Sequence, residues 1–467
     1  MNPLDDTSGN RQQDPSRAMK AADDKAIPTP PLLSVADDYP PWLLPPQAPP
    51  VLADPPGTPP PLPGGSLPQG FAARKKPTAD QAPWVVVAMI GLLGAGVLGC
   101  FVDGEFGHLL RGSWNICPFT LMAVLAYVGR DQPWARWASW LLLAGIVALT
   151  AIFNVAITSL ALTHEDRGYT VVPAGVFLRG QTIVTIHEHL GHQKLVGLIV
   201  LLLSLACLVP ALLPALRRSP LGITRLDEES GWNELRRLAL GTTIALTLSC
   251  ILPLLMLGEP PVLAAMRASE RLAAEITGNR GPAGWLRDHL YSLVWILSGS
   301  ALTVGWGIAR DTGHTLRRLG LERLSLRHLG IAGASTALLV GLGHGLYLIV
   351  SRVWGTLGWR TTDTMAVEAL FAGANSPLGA LVIGITAGVG EEVAVRGILQ
   401  PRLGILISNA FFTAMHAYQY HWDALCSVFL FGLALGWIRR KTSTTVAALV
   451  HGGYDFVIIL MGYLESR

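Results

Sequence analysis

The 467-residue chain is poor in charge: Asp, Glu, Lys and Arg make up 14% of it, against 51% hydrophobic residues. With a mean hydropathy of +0.42, that scarcity excludes an ordinary water-soluble enzyme, in which roughly a quarter of residues are charged. Cysteine is scarce as well. The five, Cys100, Cys117, Cys207, Cys250 and Cys426, sit singly in apolar runs without a CxxC, which argues against a disulfide framework or a zinc knuckle. The formal net charge is only +3, and nothing in it implies nucleic acid; in so apolar a chain the basic residues report orientation instead. The dyad alternation of an outer-membrane barrel is also missing.

What the sequence does contain is apolar runs of the length a helix needs to cross a bilayer, about 20 residues. They fall at 84–101, 113–129, 137–162, 195–215, 238–257, 290–309, 329–352, 377–400, 404–420, 422–438 and 443–464. The fold class is therefore all-α, a polytopic helical membrane protein of about ten or eleven crossings; Asp103 and Glu105, close behind the first run, separate the two counts. The loops with Arg74, Lys75 and Lys76, with Arg130 and Arg136, with Arg217, Arg218, Arg236 and Arg237, and with Arg310, Arg317, Arg318, Arg323 and Arg327 alternate with loops of mixed sign. By the positive-inside rule these basic loops, Arg402 and the trio Arg439, Arg440 and Lys441 face the cytoplasm, and residues 163–194, 258–289 and 354–376 the other side. The expectation is a protein of the plasma (cytoplasmic) membrane with a cytoplasmic amino terminus. Within 258–289, "VLAAMRASERLAAEITGNRG" reads as one amphipathic surface helix stopped by Gly278.

Residues 1–82 differ, with proline runs such as "PPWLLPPQAPPVLADPPGTPPPLPGG" and little to bury. A disordered tail is expected, either merely solvated or read by a proline-binding partner. The organisation is then a tail at 1–82, an accessory transmembrane region at 83–328 and a core at 329–467.

That core holds the polar residues. "GVGEEVAVRG", residues 388–397, sets Glu391, Glu392 and Arg396 in an apolar run. Glu392 and Arg396 are four apart and close enough to pair, whereas Glu391 points about 100° away. The next run puts Asn409, Phe412, Thr413 and His416 along one face, and the last puts His451 and Asp455 four apart. At 1.5 Å per residue, Glu391, His416 and His451 come out about 12 to 18 Å deep, near the bilayer middle. Charges there are expensive and usually functional. A glutamate in a partly dry cavity is a strengthened base, a histidine can relay its proton, and a second histidine can stabilise an oxyanion: the parts for hydrolysing an amide with activated water.

The series Glu391-Glu392-x-x-x-Arg396, Phe412-x-x-x-His416 and His451-x-x-x-Asp455, in that order on successive segments, resembles the CPBP family, the CAAX-protease and bacteriocin-processing intramembrane proteases. The resemblance covers about 329–464. It implies an intramembrane endopeptidase acting on membrane-embedded or membrane-proximal peptides, with Glu391 as base, His416 activating water, and His451 with residue 455 supporting the oxyanion. It also leaves two mechanisms open, one metal-free and one in which a divalent ion such as zinc takes Glu391, His416 and His451. The chain departs from the pattern at Asp455, where asparagine is the commoner family residue; an ionised Asp455 would repel an oxyanion, so it must be protonated, orient His451 or help bind a metal.

Other readings compete. "HEHLGH" at 187–192 has Gly191 where HExxH needs its second histidine. "GVGE" with Tyr454-Asp455 inverts the order of aspartyl intramembrane proteases and leaves the histidines unused. From a different class, a proton- or ion-coupled transporter uses the same mid-membrane residue types, and a catalytically silent scaffold would need none of them. The bland reading of "EEVAVR" is an ion pair that fixes helix packing.

Overall fold

The computed structural model describes residues 82–129, 132–161, 191–209, 232–277, 281–465 and 467. The proline-rich tail, with the proline-reading partner proposed for it, lies outside them, as do most of "HEHLGH" and the Arg217–Arg218 loop. Helices dominate, with no strand among the described residues beyond one isolated bridge between Trp306 and Arg310.

In chain order the helices are α1 Ala82–Gly99, α2 Gly104–Gly112, α3 Cys117–Val128, α4 Pro133–Ala161, α5 Gly191–Ala206, α6 Trp232–Leu257, α7 Pro261–Ala268 and α8 Glu270–Thr277. There follow α9 Gly281–Thr303, α10 Thr312–Leu319, α11 Leu326–Leu357, α12 Thr364–Leu370, α13 Pro377–Glu392, a π-helical stretch Val393–Leu399, α14 Gln400–Met415, α15 Trp422–Lys441 and α16 Thr444–Glu465. Six helical stretches among the described residues are long and apolar enough to span a membrane, or seven if α2 and α3, bent by 48°, count as one. The chain is an integral membrane protein. One of the six, Pro377–Tyr418, is 42 residues long and breaks at Gly404 (φ 79°, ψ 176°), which separates the sequence runs 377–400 and 404–420. No side chain lies near that glycine; its backbone alone excludes an L-residue.

Two sequence expectations shift. The run placed at 290–309 is a helix over Gly281–Thr303, because the Gly305 carbonyl gathers the N–H groups of Ile308, Ala309 and Arg310 into a turn. The single amphipathic helix of 258–289 is two. Ser269 is extended (φ −149°, ψ 104°) and its hydroxyl accepts from Leu272 N at 3.2 Å, capping α8 afresh. Nor does α7 lie along a surface, since Leu263, Ala264 and Ala265 are buried where it packs on α4.

The core of the last third is the α13–α16 seam, the most extensive helix contact among the described residues. Ser376 caps α13 by accepting from Gly379 N at 2.9 Å, with Pro377 in the first turn. From there Gly384 and Gly388 face Gly452: a Cβ on Gly388 would lie 2.5 Å from Gly452 N, and one on Gly384 2.6 Å from Gly452 O. Two backbones in contact bring their flanking side chains within hydrogen-bonding range, as small-xxx-small seams do in membranes. Away from the seam, α11 exposes Leu338, Leu342, Tyr347, Leu348 and Ile349 around much of its circumference, apolar surface suited to lipid.

Candidate active site

Four elements converge on Glu392. The π stretch begins directly after it, with Gln400 N bonding five residues back to Val395 O. A π turn and the break at Gly404 leave carbonyls without their usual helical donors, and arginines supply replacements. Arg318 donates to Gly397 O at 2.9 Å, Arg402 to Ile398 O at 2.9 Å and Arg236 to Arg402 O at 3.0 Å. Arg318, pushed below the ordinary arginine value by burial and by the Arg402 guanidinium, still carries its charge at neutral pH.

Glu392 is fully buried. Its Oε2 lies 3.3 Å from Arg396 Nε and its Oε1 3.1 Å from His451 Nδ1. Arg396, 1% exposed, also donates to Gly432 O at 3.0 Å and lies over the Phe412 ring, 4.7 Å from its centre. One turn on, Gln400 donates to Gly436 O at 2.8 Å. The two carbonyls of α15 can accept these extra bonds because glycine brings the backbone close: a Cβ at Gly432 would lie 3.1 Å from Phe412 Cδ1. Beside them, Asn409 donates to Phe429 O at 2.8 Å. A buried ion pair so hydrogen-bonded is strongly destabilised when one partner is removed, by about 3–5 kcal/mol.

His451 is held at both nitrogens, Nδ1 by Glu392 and Nε2 by Asp455 Oδ2 at 3.5 Å. The second contact is too long for a strong hydrogen bond. Phe431 stands edge-on to the ring at 5.4 Å.

His416 opens a short 3₁₀ turn, His416–Tyr418, at the end of α14. Its Nδ1 is 2.8 Å from Phe412 O. A carbonyl only accepts, so Nδ1 carries the hydrogen and Nε2 keeps its lone pair. The ring stacks on Tyr420, 5.9 Å between centres with planes 7° apart.

Glu391 differs from its neighbour. It is part-buried, makes no hydrogen bond or ion pair among the described residues, and is within electrostatic reach of Tyr420, His451 and Asp455. The sequence-derived candidates thus form two groups in one region: Glu392–Arg396–His451–Asp455 joined in a chain, and Glu391 and His416 facing the Tyr420 side. Sequence reasoning missed Tyr420 and the α15 carbonyls; the glycines at 432 and 436 were the available signal.

The residues do not fit a metal. Among the described residues no group of three His, Cys, Asp or Glu is placed to hold an ion, and the proposed set Glu391, His416 and His451 falls short for a visible reason, since both nitrogens of His451 already face carboxylates.

No curated protein and no solved structure matches the chain. A family model does: residues 373–457 match that of the type II CAAX prenyl endopeptidase Rce1-like family. The match runs from the turn before α13 into α16, through the π stretch and every candidate residue from Glu391 to Asp455. This integral membrane protein is therefore similar, over residues 373–457 of its last third, to the type II CAAX prenyl endopeptidase Rce1-like family.

Proposed function

We propose that the chain is an intramembrane endopeptidase that hydrolyses a peptide bond of a membrane-associated substrate with water activated by Glu391 and His416. The observation that carries this reading is the contrast between the adjacent glutamates: Glu392 is spent on Arg396 and His451, while Glu391 has no partner among the described residues and shares its surroundings with Tyr420 and Asp455. A part-buried carboxylate inside a polar site with no protein partner is open to a ligand, here a water.

In the proposed reaction Glu391 accepts a proton from that water as its oxygen attacks the carbonyl carbon. The Nε2 lone pair of His416 holds the water in line. The carbonyl π bond breaks and its electron pair becomes the oxyanion, stabilised by the Nε2 hydrogen of His451, whose long contact to Asp455 leaves it able to turn to a better acceptor. Collapse re-forms the carbonyl, the C–N bond breaks, and the leaving amine takes the proton that Glu391 received. Arg396 keeps Glu392 compensated, and Glu392 fixes the His451 ring. Asp455 orients the same ring from the opposite side; to do so next to a developing oxyanion it retains a proton at the moment of attack.

The family name supports substrates of the CAAX prenyl class, and the alternation of basic loops supports a cytoplasmic membrane with the amino terminus inside. The test is a comparison of peptide ends in membrane fractions of cells expressing equal amounts of wild type and Glu391→Gln. New ends confined to wild type establish proteolysis and name the substrate. Identical profiles, with solute flux that follows an ion gradient, would replace this reading with a transporter.

A further inference from the structure

The family match leaves the accessory helices α4–α6 without a task, yet they grip one segment of the site almost residue by residue. That segment is 415–421, the turn that carries His416. Met415 Sδ lies 3.7 Å from Cys250 Sγ. Ala417, fully buried, packs with Leu254 and Leu425. Beyond the turn, His421 donates from Nε2 to Gly258 O at 3.1 Å.

Between these contacts is a polar node. Tyr418 donates to Asn154 Oδ1 at 2.7 Å. The Asn154 amide in turn donates to Ser204 Oγ at 3.1 Å, Ser249 O at 2.9 Å and Ser249 Oγ at 3.1 Å. Asn154, Ser204 and Ser249 are all fully buried and come from α4, α5 and α6. The Phe153 ring meets Tyr418 edge-on at 5.5 Å. An asparagine that satisfies its oxygen and its amide on three different chain segments has one orientation, since an amide flip would set its Oδ1 against the Ser249 carbonyl oxygen. His416 is two residues from the tyrosine so held, and the hydrogen bond that fixes its tautomer is the one to Phe412 O, beside the stack on Tyr420.

We infer that the accessory helices form a clamp which, through Asn154 and Tyr418, positions the His416 ring for the reaction. Asn154 and Tyr418 are positioning residues; neither touches the reacting atoms. The inference rests on the protease reading for its consequence in rate, and its test separates the two.

The experiment uses the full chain in lipid bilayers, with histidine labelled by 15N and the His416 resonances assigned by comparison with His416→Ala. Wild type is expected to show one tautomer, with Nδ1 protonated. Tyr418→Phe, which removes only the hydroxyl, and Asn154→Val are each expected to split that signature into two tautomers. Ser204→Ala, which leaves the Tyr418–Asn154 bond in place, is expected to keep it single. With the substrate named by the peptide-end comparison, kcat should fall roughly ten- to hundredfold in the first two variants, the range for a small misplacement of a reacting group, while KM stays near wild type. The double variant should lose no more than the worse single one, because both break the same bond. A single, unchanged His416 signature in both Tyr418→Phe and Asn154→Val overturns the inference. A split signature in an enzyme that cleaves nothing supports the clamp and overturns the protease reading instead.

Discussion

Two polar regions of this molecule meet at the turn His416–Tyr418 and are finished to different degrees. Around Asn154 the amide and its oxygen are both engaged, by Ser204, Ser249 and Tyr418. Around Glu391 they are not: that carboxylate has no partner among the described residues, and Glu392 Oε2, Arg396 Nη1 and Asn409 Oδ1 are buried without a hydrogen bond. A saturated node resists change and holds its neighbours still; an unsaturated one has a use for water or substrate. The contrast separates a part that positions from a part that reacts.

The sharpest way to break it is to change one glutamate at a time. Glu391→Gln is expected to reduce the cleavage rate by about 10²- to 10⁴-fold, the worth of a general base, with the thermal midpoint unmoved because no protein bond is lost. Glu392→Gln should do the reverse in emphasis, lowering stability by up to about 3–5 kcal/mol because it strands Arg396, as denaturation in detergent will show. If the two variants behave alike, the division of labour between the glutamates is wrong. Next in size, Gly388→Val pushes a side chain against the Gly452 backbone. About 1–3 kcal/mol of destabilisation is expected, together with a lower rate as Glu392 and His451 are moved apart, which a melting curve and a rate on the same preparation would register.

A smaller effect sharpens the comparison inside the site. Asp455→Asn restores the residue commoner in the CPBP pattern and removes a contact already long at 3.5 Å. The rate should change by less than about tenfold, or ~1.4 kcal/mol. If Asp455 must hold a proton during attack, the wild-type rate falls as pH rises through that titration, and the variant loses this limb of its pH profile. The smallest effect belongs to Arg267, whose ion pairs with Glu259 and, at 3.5 Å, Asp363 lie at the part-exposed ends of helices. Arg267→Ala should shift stability by under about 1 kcal/mol and leave cleavage alone.

Much of the arrangement was legible before any coordinates. An apolar run containing Glu391, Glu392 and Arg396 already implies a polar cavity, and a four-residue spacing already pairs Glu392 with Arg396 and His451 with Asp455, because helix geometry is local. The partner of His451 was not legible. Neighbouring glutamates differ by about 100° on a regular helix, and the turn that follows them is π-helical, so no count along the chain says which one meets α16. The seam glycines offered a readable sign of close approach, Gly384 and Gly388 being four apart, without naming Gly452 as the other side. Asn154 offered less: an amide in a long apolar helix announces a hydrogen bond, but Ser204, Ser249 and Tyr418 lie 50, 95 and 264 residues away.

The sequence by itself determined the medium, the helical class and the order of reactive residues along the last helices, because hydropathy and i,i+4 spacing act within one segment. Only the tertiary structure decided which glutamate meets His451, and that a tyrosine two residues past His416 is tied to three helices of the other half. Those outcomes depend on backbone approach at glycine seams and on hydrogen bonds between distant segments, and neither leaves a period in the chain.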